Sequence, residues 1–445
     1  MGCQFVPPYL LDRLADVGHG HAADWFGRTR GLDERLRERR ATTSPSVAQP
    51  PDADGTKTIY SAGGGTSLPG DKVRGDADPP TGDQAVDEAY DSTGIVHELF
   101  STVYGRSGID DAGSTVTVTV HFGRAYDNAF WDGDQLVFGD GDGEVFERFT
   151  KPPDVLFHEF THGVTQFTAD LRYSGQSGAL NESVSDCFAA MALQRQFDQT
   201  AEQADWLIGE GLFKPSINAV ALRSMREPGT AYDDPLLGRD PQVGSMRDYV
   251  ETTADNGGVH INSGIPNKAF TLAALRLGGY TWERTGRIWY AALTGDAVGR
   301  DSGFGEFAAA TVAAAGDLYG EEEADAVSAA WEEVGVTPGL DAADAGAPAR
   351  RSGRIVVSRT GGFTGVVREA AVDADEGPLG AEVASILQQV NFTALPIRDA
   401  DPRGADRFTY TFTYGDQQVT VPESALTPEL ERVATLVLGR LADTP

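Results

Sequence analysis

The feature that most constrains this chain is the run DVLFHEFTHGVTQ (154–166), with HEFTH at its centre. On a helix, His158 and His162 stand one turn apart on one face, so both imidazoles can reach a single tetrahedral metal. Glu159 lies beside them, able to take a proton from water. The bland alternative is a helix with two surface histidines. The apolar lead-in argues against it, because it puts the helix in a core where unpaired imidazoles are costly. A catalytic metal needs a third protein ligand and an open position. ALNESVSD (179–186) offers Glu182 as that ligand, with Asp186 one turn later on the same face to accept the second ring N–H of a histidine. Asn181 followed by acid is also a normal helix N-cap, but capping does not account for two carboxylates on one face.

Charge narrows the partners. With 36 basic against 67 acidic side chains, the net charge is -31. Phosphate polymers need clustered Lys and Arg, so a nucleic-acid partner is excluded, and an anionic membrane surface is disfavoured for the same reason. Nearly all the excess acid falls in 41–349, as a solvated acidic surface or as carboxylate sites for cations. Two cysteines, Cys3 and Cys187, make no disulfide framework. The opening MGCQFVPPYLLDRL has no basic n-region and no long apolar run, so export by a route without a standard signal is expected, and the precursor can accumulate in the cytoplasm.

Composition breaks divide the chain. ATTSPSVAQPPDADG (41–55) and TPGLDAADAGAPARRSG (337–353) read as linkers. Between them, STVTVTVHF (114–122) and QLVFGDG (135–141) alternate like strands, and from Asp154 to Val336 apolar residues recur at helical spacing. Beyond the second linker, GRIVVSR (353–359), a helix around 381–390 and the hairpin DRFTYTFTYGDQQVTV (406–421) make a small α+β unit. The segment DERLRERR (33–40) reads as a short charged helix in an N-terminal arm. GDGDGE (139–144) hints at an EF-hand, but Lys151 stands where its bidentate Glu belongs, so a glycine-rich turn is the better reading.

Six blocks, DNAFWDG (127–133), VFGDGDG (137–143), the HEFTH run, SGALNESVSD (177–186), LRSM (222–225) and DNGGVHINSGIPNKAF (255–270), resemble the thermolysin family of zinc endopeptidases in family order. The resemblance covers about residues 56–336. It implies an α+β, two-lobed catalytic unit, β-rich first and α-helical second, and one catalytic zinc held by His158, His162 and Glu182. Glu159 would be the general base, and Tyr173 and His260 the donors to the oxyanion. Asp186 and Asp255 would orient histidines. Asn128 and the Ala129 carbonyl would hold the substrate backbone and emerging amine, and Arg223 a peptide carbonyl. The apolar pocket maps onto Phe146, Phe149, Val155 and Leu222, which implies cleavage on the amino side of bulky hydrophobic residues. Taken alone, His260 would be an ordinary structural histidine; its glycine-rich surroundings favour function. Two of the family's calcium ligands are Leu193 and Leu207 here, with Asp154, Asp205 and Glu210 kept, so calcium binding should be weak or absent.

The opening CQFVPPYLLDRLA resembles the short propeptide of the protealysin branch, and the tail from Arg350 resembles the inhibitor emfourin. Both imply intramolecular inhibitors, the arm being removed between Arg40 and Thr58. Cys3 is a candidate switch ligand for zinc, or an inert thiol. The tail inhibits in cis at high effective concentration, or docks elsewhere. The expected divisions are a propeptide and linker at 1–50, a β-rich lobe with the zinc helix at 51–168, a helical lobe at 169–338, a linker at 339–352 and the emfourin-like domain at 353–445. A monomer acting on peptide and protein substrates is expected. The rival reading is a catalytically silent, zinc-stabilised binding or inhibitory protein.

Overall fold

The computed structural model describes residues 4–17, 25–33, 56–339, 354–361, 368–373, 383, 386, 408–414, 417–422 and 426–438. They fall into two compact units, 1–345 and 346–445. The first opens with an arm of two helices, α1 (Pro8–Val17) and α2 (25–33). A mixed five-stranded sheet follows in the order β2-β1-β3-β5-β4, from β1 (Lys57–Ser61), β2 (Asp71–Gly75), β3 (Val116–Val120), β4 (Ala129–Trp131) and β5 (Leu136–Phe138). β1, β3 and β5 run parallel, with Lys57 opposite Val116 and Val118 opposite Leu136. β4 closes one edge antiparallel to β5, with Ala129 opposite Phe138. The alternating Val and Thr of 116–120 suit such a strand, because β-branched side chains pack well on a pleated surface.

Helix α3 (Gln84–Val103) covers the sheet. Asp83 caps it by accepting from the Ala85 and Val86 amides. Its buried face, Ala85, Ala89, Val96 and Phe100 among others, follows the helical repeat. Phe100 then stacks on Phe160 and Phe188, at centroid distances of 5.5 and 5.1 Å, and so ties α3 to α4 (Pro153–Gln166) and α5 (Gly175–Gln196). Pro153 starts α4 where its missing N–H costs nothing. Both helices are buried nearly all round, as befits the centre of a large domain. α6 (Asp255–Asn262), α7 (Gly264–Leu277), α8 (Thr285–Thr294), α9 (Phe304–Leu318) and α10 (Glu321–Glu333) complete a helical half. This is the expected α+β order, β-rich first and helical second, with the HEFTH helix where the two halves meet.

The second unit has a four-stranded antiparallel sheet in which Arg354–Gly361 pairs with Arg368–Asp373 and Phe408–Tyr414, and the latter with Gln417–Pro422. The hairpin expected at 406–421 is present, with Tyr414 opposite Gln417. Of the helix expected around 381–390, only Val383 and Ile386 lie within the described residues. The sequence reading missed helix Pro428–Leu438, although Leu430, Val433, Ala434 and Val437 carry an i, i+3, i+4, i+7 stripe and are buried. Of the charged segment 33–40, only Asp33 lies within the described residues, at the end of α2. Among the described residues no helix is long and apolar enough to cross a membrane.

Candidate active site

Helices α4 and α5 cross so that three metal-ligating groups face one point. His158 and His162 meet edge to face, 4.5 Å between centroids, with both side chains buried. Glu182 reaches them from α5, its Oε2 3.4 Å from His158 Nε2 and its Oε1 3.5 Å from His162 Nε2. Neither ring nitrogen makes a hydrogen bond there. A zinc ion with bonds of about 2.0–2.1 Å has tetrahedral edges of about 3.3 Å, close to both separations, one to each oxygen of the carboxylate. Glu159 is also near, and one ligand atom each of His158, Glu159 and His162 lie within 4.8 Å of one another. Glu182 is the better third ligand. Glu159 turns its Oε2 away to accept the Trp131 amide at 2.7 Å.

The outer nitrogens fix the two rings. His158 Nδ1 faces Asp186 Oδ1 at 2.8 Å, and His162 Nδ1 faces Asn181 Oδ1 at 2.7 Å and Ser185 Oγ at 3.0 Å. Protons held on Nδ1 leave the Nε2 lone pairs directed inward. Asp186 also accepts two hydrogen bonds from Arg223, at 2.9 and 2.7 Å, and one from Asn267 at 2.8 Å. Burial works against its charge, yet Arg223 and His158 hold it down at about 2. Burial likewise opposes charge on His158, but Asp186 and Glu182 outweigh it and raise the ring to about 9. His162, buried beside His158, falls to about 3. Capping is not what Asn181 does, for α5 begins at Gly175 and places Asn181 in its interior.

His260 and Tyr173 stand at the rim of this triangle. Burial opposes charge on His260, but Asp255 and Glu182 raise it to about 9. Its Nδ1 lies 2.6 Å from Asp255 Oδ1, and the same carboxylate accepts the His260 amide. The Tyr173 hydroxyl donates to Glu182 and lies 3.2 Å from His260 Nε2. Asp255 to Gly258 all have positive φ, a left-handed turn that aims His260 inward.

The arm lies across the remaining predicted residues. The Phe5 amide donates to the Ala129 carbonyl at 3.1 Å, and the Val6 amide to Asn128 Oδ1 at 2.8 Å. Asn128 Nδ2 donates back to the Val6 carbonyl, and Arg223 to the Phe5 carbonyl. His260 Nε2 donates to the Gln4 carbonyl at 2.9 Å. The Phe5 ring meets His158 edge-on at 5.1 Å and lies under the Arg223 guanidinium. Phe146, Phe149, Val155 and Leu222 are all buried in the same core cluster as Phe5. Further along, Leu10, Leu11 and Leu14 are buried, Arg13 donates to the carbonyls of Pro235 and Leu236, and Asp33 accepts from Tyr126 and Asn128. The candidate switch Cys3 lies outside the described residues.

The sequence reading missed Asn267, Asn181, Ser185 and Trp131 as partners of the site. Of the retained acids, Asp154 is buried and accepts the Gly209 amide at 2.7 Å, whereas Asp205 and Glu210 are exposed.

Comparison with known proteins gives the same outline. The profile of the thermolysin metallopeptidase catalytic domain matches residues 53–166, that of the thermolysin metallopeptidase alpha-helical domain matches 169–336, and that of emfourin matches 357–437. An extracellular metalloprotease of Pectobacterium carotovorum subsp. carotovorum is 45% identical over 334 residues, covering 75% of this chain and 96% of that protein. Protease PrtS of Photorhabdus sp. (strain Az29) is 48% identical over 338 residues, 74% of this chain and 91% of the relative. Among solved structures, the precursor of protealysin, a metalloproteinase from Serratia proteamaculans, superposes with a TM-score of 0.69 at 46% identity, covering 75% of this chain and all of that one.

Asp154 provides a test of the site's surroundings. Burial pushes it up to about 6, although the Gly209 amide and Arg223 pull the other way. An unfolded aspartate titrates near about 3.9, so the native state binds the proton more tightly and stability falls as pH rises from about 4 to about 6. Asp154→Asn keeps an acceptor for Gly209 and does not titrate. Its stability relative to the natural chain should therefore rise by up to about 3 kcal/mol between pH 4 and pH 7 in denaturant titrations. A difference constant with pH would mean that the carboxyl titrates normally.

Proposed function

This chain belongs to the thermolysin family of metalloendopeptidases, and from that premise we propose how its own residues bind, cut and are held in check. The observation that carries the reading is the buried triangle of His158 Nε2, His162 Nε2 and Glu182, whose edges of 3.4 and 3.5 Å suit a tetrahedral zinc. Bound there, zinc would polarise the scissile carbonyl and bring the pKa of water towards neutrality. Glu159, its Oε2 pinned by the Trp131 amide, takes the proton of the attacking water and passes it to the leaving nitrogen. Tyr173 and His260 donate to the carbonyl oxygen as negative charge develops, in a buried setting where such donors count most. Asn128, Ala129 and Arg223 hold the substrate backbone, and the apolar wall of Phe146, Phe149, Val155 and Leu222 selects a bulky residue after the cut. A silent zinc-stabilised scaffold would need the ligands but neither the base nor the two donors.

The arm keeps the enzyme latent, since it takes up Asn128, Ala129, Arg223 and His260 at once. The emfourin-like unit, tethered to the same chain, inhibits in cis, where even modest affinity suffices. Action outside the cell fits the extracellular relative. Leucine at 193 and 207, the exposure of Asp205 and Glu210, and the use of Asp154 on the Gly209 amide leave too few carboxylates for a calcium pair.

Three outcomes follow. Casein hydrolysis should disappear in Glu159→Gln and on phenanthroline treatment, and the cuts should map to the amino side of Phe, Leu and Ile; cuts mainly beside charged residues would refute the pocket. Chains lacking residues 1–55, or ending near Leu340, should each start hydrolysis faster than the full chain, and equal rates for the second would make the tail a docking domain. Melting should be unchanged in EGTA with zinc retained, whereas a drop of many degrees would restore a structural calcium.

A further inference from the structure

The arm does more than cover the cleft: residues 4–6 make the contacts a substrate would make, in order. The Gln4 carbonyl takes the His260 donor, the position of the developing oxyanion. One bond later, the Phe5 amide points at the Ala129 carbonyl, the acceptor for the emerging amine. The Phe5 carbonyl takes Arg223, and Val6 pairs with Asn128 through both its amide and its carbonyl. Phe5 is fully buried, and a Cβ added at Gly209 would lie 3.1 Å from Leu222 Cβ and 3.4 Å from the Phe5 ring, so Phe5 and the pocket residue Leu222 share one wall. A bulky apolar residue therefore follows the bond that lies between the oxyanion donor and the amine acceptor.

We infer that the arm is bound in productive register and that Gln4–Phe5 is the first bond this enzyme cuts in its own chain. The inference rests on the endopeptidase reading above. Water supplies OH to the Gln4 carbonyl carbon, the C–N bond breaks, and Glu159 carries the water proton to the Phe5 nitrogen. The acid proton follows to the same nitrogen, so the products are a carboxylate on Gln4 and an ammonium on Phe5, with no other reactant. The cut leaves the arm in place. The new amine still faces the Ala129 carbonyl, and Val6, Leu10, Leu11, Leu14, Arg13 and Asp33 keep their contacts. Everything on the amino side of Phe5 is lost first, Cys3 included, and latency outlasts that loss until a cut beyond Asp33.

The full zinc-loaded chain, followed by intact mass and N-terminal sequencing at two dilutions tenfold apart, should first yield a species beginning FVPPY. It should form at a rate independent of concentration, before casein hydrolysis rises, and be absent in Glu159→Gln. In the zinc-free chain, where no cut can occur, hydrogen exchange should show the Phe5 and Val6 amides protected at least tenfold, with the Val6 protection lost in Phe5→Gly. Casein hydrolysis appearing while Gln4–Phe5 stays intact, a downstream cut that always comes first, or unprotected amides would each overturn the inference alone. A chain that cuts neither itself nor casein would overturn the endopeptidase reading with it.

Discussion

One buried carboxylate, Asp186, ties together the elements that meet at the site. It has no solvent exposure, and it accepts hydrogen bonds from His158 on α4, Arg223 on the short strand Arg223–Ser224, and Asn267 on α7, while sitting on α5 itself. A buried charge is tolerable only when paired and fully hydrogen-bonded, and removing one partner of such a group costs about 3–5 kcal/mol. The geometry of the ligands is thus held by the cost of every alternative arrangement. The fold can accept this because α4 and α5 are buried nearly all round and cannot shift without opening the core.

Arg223 joins that constraint to the arm. The guanidinium that neutralises Asp186 also donates to the Phe5 carbonyl and covers the Phe5 ring. A planar fork with several donors can do all three, which a lysine could not. The arm thus sits on the same charged group that holds Asp186. The burial of Phe5, Val6, Leu10, Leu11 and Leu14 holds the arm by apolar contact as well.

Much of this was legible in the sequence, and the rest was illegible for one reason. His158, His162, Glu182 and Asp186 could be read because each pair is related by the periodicity of a single helix, and the family blocks supplied the spacing between helices. Asn267 and Trp131 could not, because their contacts depend on how α7 and β4 approach α4 and α5. Asn181 was visible but misassigned as a possible cap, since nothing local shows that α5 starts at Gly175. The helix Pro428–Leu438 is the opposite case: its apolar stripe was present in the sequence and was overlooked beside a louder hairpin signal.

The glycines around Tyr173 and His260 show why local reading stops short. Tyr173 precedes α5 and His260 follows the left-handed turn from Asp255 to Gly258, so their separation is set by how closely those two segments pack. They meet through hydrogen-only positions. A Cβ at Gly257 would lie 2.9 Å from the Gly175 nitrogen, and one at Gly178 would lie 2.5 Å from Val259 Cγ1 and 2.9 Å from the Tyr173 carbonyl carbon. Those distances lie well inside van der Waals contact, so any larger residue must push the two segments apart. Tyr173 Oη and His260 Nε2 sit 3.2 Å apart because backbone meets backbone beneath them. The sequence displays each glycine, but the requirement belongs to the pair of surfaces, and the spacing of Tyr173 and His260 follows from how closely they pack.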